Sequence, residues 1–81
     1  MFYTYILYSE TISRYYIGST QDVDERLHRH NNNHSKSTKD KGPWKLVTSF
    51  TFETRAEAMK HERKIKKRGA GRFLKDIDLD G

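Results

Sequence analysis

Three sets of polar residues stand where their neighbours call for apolar ones, and each has a side chain that can do chemistry. Residues 54–67 read as an amphipathic helix whose inner stripe carries Ala58 and Ile65, with Met59 beside it. Glu62 follows Ala58 by four residues and precedes Ile65 by three, so it lies inside that stripe. A carboxylate there must be paired, hydrogen-bonded or bound to a cation. Val23, Leu27 and His30 share a face of an earlier helical segment, and Arg26 lies four residues before His30 on the same side. Tyr3 and Tyr5 alternate onto one face of a first strand, as Tyr16 and Gly18 do on a second. Each set has an ordinary reading: a rim ion pair for Glu62, a packed histidine, tyrosines filling a small sheet. Brought together, they have another. Arginine clamps a phosphate, a carboxylate holds one hard cation, and a phenol or imidazole moves the proton.

The elements that must position these groups follow from the sequence pattern. Residues 2–8 are rich in aromatic and β-branched types and read as a strand. Residues 9–14 interrupt it, Tyr15, Tyr16 and Ile17 resume it, and Gly18 is expected to end it, which makes an antiparallel hairpin with a longer loop. Ser19 or Thr20 is expected to cap the next helix, whose first turn gathers Asp22, Asp24 and Glu25 and which Asn31, Asn32 and Asn33 stop. A polar loop runs to Pro43, and residues 44–52 return to strand character with Leu46, Thr48, Phe50 and Phe52 on one face. Thr54 and Glu57 have capping-box spacing at the start of the long helix, and Gly69 marks its end. Residues 68–71 read as a break, and residues 72–79 as a last short helix or strand that packs Phe73. The order is strand, strand, helix, strand, helix and a tail. It predicts an α+β sandwich, a small antiparallel sheet covered by helices.

Length and composition bound the function classes. At 81 residues there is room for a single domain, with a core over about residues 2–68 and a short tail over 69–81. The absence of cysteine excludes disulfides and thiolate chemistry, and with it the common zinc sites, although His28, His30 and His34 lie close in sequence. The N-terminal apolar run has no basic region before it and reads as a strand rather than a signal peptide; no run is long enough to span a bilayer. A soluble, cytoplasmic protein with no membrane partner is expected. The formal charge of +5 is concentrated toward the C-terminus, at Lys60, Arg63, Lys64, Lys66, Lys67, Arg68, Arg72 and Lys75. Such a face suits a polyanion, or is simply a solvated helix surface; charge alone does not choose.

Tyr3-Thr4-Tyr5, followed eleven residues after Tyr5 by Tyr16-Ile17-Gly18, resembles the paired signatures of the GIY-YIG nuclease superfamily. The downstream spacing agrees: Arg26 comes ten residues after Tyr16, then His30, then a helix carrying Glu62. The run from Thr54 to Lys67 is similar to the small stand-alone bacterial members, which themselves resemble the N-terminal domain of an excision-repair nuclease subunit. Glycine and isoleucine of the first signature are replaced here by Tyr3 and Thr4, and the late asparagine of some members has no counterpart after Gly69.

The resemblance implies a three-stranded antiparallel sheet flanked by helices and a metal-dependent endonuclease that hydrolyses phosphodiesters, most naturally in DNA. It implies that Tyr5 is the general base or its close partner and that Tyr16 bonds to the phosphate or the nucleophile. Arg26 would bind the scissile phosphate, His30 would assist proton transfer or orient a tyrosine, and Glu62 would be the one protein ligand of Mg²⁺ or Mn²⁺. His34 or Ser37 would fill an auxiliary position in the loop after the first helix. An unperturbed tyrosine titrates near pH ~10, so Tyr5 needs a cation beside it, for which Arg14, Lys36 and His34 are the candidates. Lys36, Lys39, Lys60, Arg63, Lys64, Lys67 and Arg68 are expected to grip nucleic acid through its phosphates, which position without reading sequence. Structure rather than sequence selectivity follows, with a homodimer or a protein partner as natural sources of added affinity. The alternatives are a nucleic-acid-binding module that keeps the fold without cutting, and a purely structural or protein-binding domain.

Overall fold

The computed structural model describes residues 1–32 and 41–77. Its elements run β1 (Phe2–Ser9), β2 (Arg14–Thr20), α1 (Val23–Asn31), β3 (Lys45–Phe52), α2 (Arg55–Arg68) and α3 (Ala70–Ile77). The sheet has the order β2-β1-β3 with both pairings antiparallel. The α+β sandwich read from the sequence is the fold observed, with three helices.

Strand β1 is central, and that explains its composition. It is covered on both faces, so Thr4, Tyr5, Ile6 and Leu7 are buried in succession rather than alternately. On one face Ile6 packs with Ile65, Ala70 and Phe73, and Ile17, Phe50 and Leu74 close the cluster. On the other, Tyr5 and Leu7 pack with Trp44, and Tyr16, Val23 and Leu27 join them. Thr4 is tolerated in this core because its hydroxyl donates to the carbonyl of Ala58, 2.6 Å away. Asn31 bridges the end of α1 to the start of β3: its amide accepts from the Trp44 backbone N–H at 2.6 Å and donates to the Trp44 carbonyl at 3.0 Å.

Four local expectations are corrected. Gly18 does not end β2, because the ladder with β1 continues to the Tyr3–Thr20 pair. The N-cap of α1 is Asp22, whose carboxylate accepts from the Glu25 backbone N–H at 3.0 Å, rather than Ser19 or Thr20. The break before the last element is confined to Gly69, at φ 92°, a left-handed conformation that suits glycine, and α3 begins at Ala70. Leu46 does not share a face with Thr48, Phe50 and Phe52. A register shift pairs Ile6 with Thr48 but Leu7 with Leu46, so Leu46 turns to the opposite face and is 40% exposed. The capping box of α2 is as expected: the Thr54 hydroxyl accepts from the Glu57 N–H and donates to its carboxylate. Helix α3 belongs to the core, since Ala70 and Phe73 are buried.

Candidate active site

The site straddles the edge strand β2. Tyr5 pairs directly with Gly18, and Leu7 with Tyr16, so all four share the face covered by α1. The Tyr5 ring lies across Gly18 so closely that a Cβ there would sit 2.5 Å from the Tyr5 hydroxyl oxygen. The glycine is thus the opening through which the phenol reaches the strand edge. From α1, His30 and Arg26 descend on the same side. The Tyr5 hydroxyl lies 3.1 Å from His30 Nε2, within hydrogen-bond range, and the His30 ring lies tilted against that of Tyr16, with centroids 4.6 Å apart.

Ser19 follows Gly18 and therefore points to the opposite face, where its hydroxyl donates to Glu62 Oε1 at 2.8 Å. The second carboxylate oxygen accepts from Lys66 Nζ at 2.7 Å. These two donors explain how a glutamate sits in the inner stripe of α2. The two sides communicate around the β2 edge, since the Tyr5 phenol feels the charges of both Arg26 and Glu62.

Burial sorts the five residues into two layers. Tyr5 and His30 are each 1% exposed, while Tyr16, Arg26 and Glu62 are only partly buried. Desolvation raises the Tyr5 pKa well above the ordinary phenol value, helped by Tyr16 and Glu62 and opposed by the charge and hydrogen bond of Arg26. Among the described residues the cation beside Tyr5 is Arg26 rather than Arg14, and it does not outweigh burial; the other candidates, His34 and Lys36, lie outside those residues. His30 is lowered, first by burial and then by the Arg26 charge, so its ring is neutral near pH ~7. A neutral imidazole can accept the phenol's proton at Nε2; a neutral phenol can at the same time accept one. Arg26 Nε is buried with no hydrogen-bond partner among the described residues, a donor left waiting for an acceptor. Arg26 also lines a cleft of about 410 Å³ that opens along the first turn of α2.

The donor set fits one hard divalent ion. No group of three or more His, Asp or Glu residues converges among the described residues, so no all-protein cage and no zinc-type site is built there. A single carboxylate suits Mg²⁺ or Mn²⁺, which keep much of their water. Glu62 would be the residue that holds such an ion.

The expected nucleic-acid contacts divide. Lys36, Lys39, His34 and Ser37 lie outside the described residues. Lys60 and Lys64 are each two residues from Glu62, about 160° round the helix from it, and they line a separate recess with Phe52, Glu57 and His61. Lys67 also lies well round from Glu62 by the same count, and Arg63 is nearer, on the exposed surface. Arg68 is held by Asp76 at 2.8 and 3.0 Å. The cations on the Glu62 side of α2 are Lys66, which the sequence reading had only in the general basic face, and Arg55, which it did not place at the site. Helical counting carried the signal, because Arg55 precedes Glu62 by seven residues and so returns to the same side.

The chain matches the family described as the GIY-YIG catalytic domain over residues 1–72. It is 38% identical over 65 residues to the UPF0213 protein BH0048 of Halalkalibacterium halodurans, covering 79% of this chain and 68% of that protein. To the UPF0213 protein SSP2268 of Staphylococcus saprophyticus it is 40% identical over 52 residues, or 63% of each chain. It therefore spans about two thirds of the length of these relatives. The solution NMR structure of the UPF0213 protein BH0048 from Bacillus halodurans superposes with a TM-score of 0.59 at 32% identity, covering 100% of this chain and 87% of that one. With the family match over nearly the whole described fold, the chain belongs to the GIY-YIG catalytic-domain family.

Proposed function

We propose that this chain is a divalent-metal-dependent endonuclease that hydrolyses phosphodiester bonds in DNA, selecting substrates by structure rather than by sequence. The observation that carries this reading is the convergence of Tyr5, Tyr16, Arg26, His30 and Glu62, from four separate elements, on one strand edge. The outer layer meets the substrate. Arg26 offers its unpartnered Nε and the rest of its fork to the non-bridging oxygens of the scissile phosphate, where charge grows during the reaction. Tyr16 orients the attacking water. The inner layer handles the proton: Tyr5 donates to His30 Nε2 and accepts from the outer layer, so that its high pKa is no obstacle to relaying a proton it never has to lose for long. Glu62 would hold Mg²⁺ or Mn²⁺, which when bound supplies Lewis acidity and neutralises the leaving oxygen.

A second reading, a binding module without catalysis, draws on one observation: Lys66 and Ser19 already satisfy both Glu62 oxygens. The pair is not a permanent lock, since the Glu62 side chain is 19% exposed but that of Lys66 is 54% exposed and can turn into water. A cleavage assay separates the two. Nicked, branched, single-stranded and duplex DNA, and RNA, are incubated in Mg²⁺, Mn²⁺ or EDTA with wild type, Glu62→Gln and Arg26→Ala. Metal-dependent cutting of DNA lost in both variants is the expected result. Binding without cutting in any metal selects the second reading, and cutting confined to RNA replaces the substrate.

A further inference from the structure

The cleft beside the centre contains two arginines that the catalytic set does not use, Arg29 from α1 and Arg55 from the first position of α2. Its acids are otherwise engaged: Asp22 caps α1, and Glu25 pairs with Arg29 at 3.4 Å. That pair is half exposed on both sides and holds Arg29 only loosely. Arg55 has no carboxylate in ion-pair range among the described residues. Its guanidinium carbon lies 5.5 Å from the centre of the Phe2 ring. A ring offers no oxygen acceptor, so the contact leaves the guanidinium N–H donors for a phosphate, which they can take in a fork. The first turn of α2 adds the positive end of its dipole to the same cleft.

We propose that this cleft holds a backbone phosphate adjacent to the scissile one, with Arg55 as its principal contact and Arg29 as the second. The assignment rests on the nuclease reading of the neighbouring centre. Arg26 belongs to both, touching Tyr5 on one side and lining the cleft on the other. Arg55 stands on the Glu62 side of α2 but seven residues earlier, about 10 Å along the helix axis. That offset along the helix places it toward a neighbouring phosphate along the strand rather than over the one that Glu62 acts on. The strand is thereby drawn toward the α1–α2 side of the β2 edge, away from the recess of Lys60 and Lys64.

The test measures binding in EDTA, where cutting plays no part, by fluorescence anisotropy on the best-cleaved oligodeoxynucleotide, or on a single-stranded one if none is cut. Single methylphosphonates, which remove one phosphate charge at a time, are scanned along it for wild type, Arg55→Ala and Arg55→Lys. Arg55→Ala is expected to weaken binding about tenfold at low salt and to lower the slope of log affinity against log salt by about 0.9 on a duplex or about 0.7 on a single strand. Arg55→Lys is expected to keep the slope and lose part of the affinity, since it keeps the charge without the fork. The methylphosphonate next to the cut should weaken wild type and add nothing to Arg55→Ala. Folding of each variant is checked by thermal unfolding. Wild-type affinity and slope in Arg55→Ala, or losses that add at every phosphate, would overturn the proposal even if the protein cuts DNA. Coupled losses in a protein that never cuts would sink the nuclease reading and the adjacency to a cut, and an absence of DNA binding by wild type would sink both.

Discussion

Replacing Gly18 by alanine tests how far the catalytic geometry depends on the strand edge. The new Cβ would stand 2.5 Å from the Tyr5 hydroxyl oxygen and 2.7 Å from the carbon that bears it, whereas ordinary contact begins near 3.4 Å. The phenol must therefore withdraw by about 0.9 Å, the difference between 3.4 and 2.5 Å. It cannot do so freely, because Tyr5 is 1% exposed and packed against Leu7, Trp44 and Tyr16. Overpacking of this kind costs about 1–3 kcal/mol, and each kcal/mol lowers the melting temperature by roughly 4–8 °C in a domain of this size. A shift of that length also takes the 3.1 Å contact between Tyr5 and His30 Nε2 out of its hydrogen-bond geometry and disturbs Arg26. Misplacement by about 1 Å costs on the order of a hundredfold in rate. The assay is single-turnover cleavage at a temperature where thermal unfolding shows the variant fully folded. A Gly18→Ala protein that is folded and cuts at the wild-type rate refutes the reasoning that Tyr5 must sit across Gly18.

Other consequences are equally open to measurement. Glu62→Gln should fold as wild type does but lose the rise in melting temperature that Mn²⁺ confers; stabilisation of about 2.7 kcal/mol is expected for wild type at a hundredfold excess over the dissociation constant, and an equal rise in the variant would remove Glu62 from the metal site. The buried His30 and the half-buried His61, whose ring meets Phe50, Phe52 and Phe73, both have pKa values lowered from 6.5 by burial. The unfolded chain then takes up protons first as pH falls, so their contribution to stability is complete above about pH 6.5 and is lost below it, down to their folded pKa values. Melting temperatures measured between about pH 7 and 5 should fall less steeply when both histidines are changed to glutamine, and an unchanged slope would contradict this. Thr54→Ala removes the capping box of α2 and should cost about 1 kcal/mol in a denaturant titration, with activity retained under folding conditions.

Much of this fold is legible in the sequence because its signals are local. The aromatic and β-branched run of β1, the Thr54–Glu57 box and the displaced Glu62 each depend on residues a few positions apart, and each corresponds to what the structure contains. What could not be read there depends on pairing partners. Leu46 changes face because β3 slips by one residue against Ile6 and Leu7 of β1, which no pattern within β3 announces. Gly18 reads as a terminator until Tyr5 is known to lie opposite it. The basic run of α2 looks like a single grip in sequence, but helical geometry separates Lys60 and Lys64 from the Glu62 side, and Arg68 is taken by Asp76. Arg29 and Arg55 come from different helices, and only their shared cleft makes them a pair.

The central claim is that Glu62 brings a divalent ion to the phosphate being cut. The most direct measurement replaces a non-bridging oxygen of that phosphate by sulfur, in each stereoisomer, and compares single-turnover cleavage in Mg²⁺ and in Mn²⁺ for wild type and Glu62→Gln. Sulfur binds Mg²⁺ poorly and softer ions better. The account predicts that one stereoisomer is cut slowly in Mg²⁺ and recovers in Mn²⁺, with Glu62→Gln inactive in both. Cutting that is indifferent to sulfur and metal, or that survives in Glu62→Gln, would contradict it.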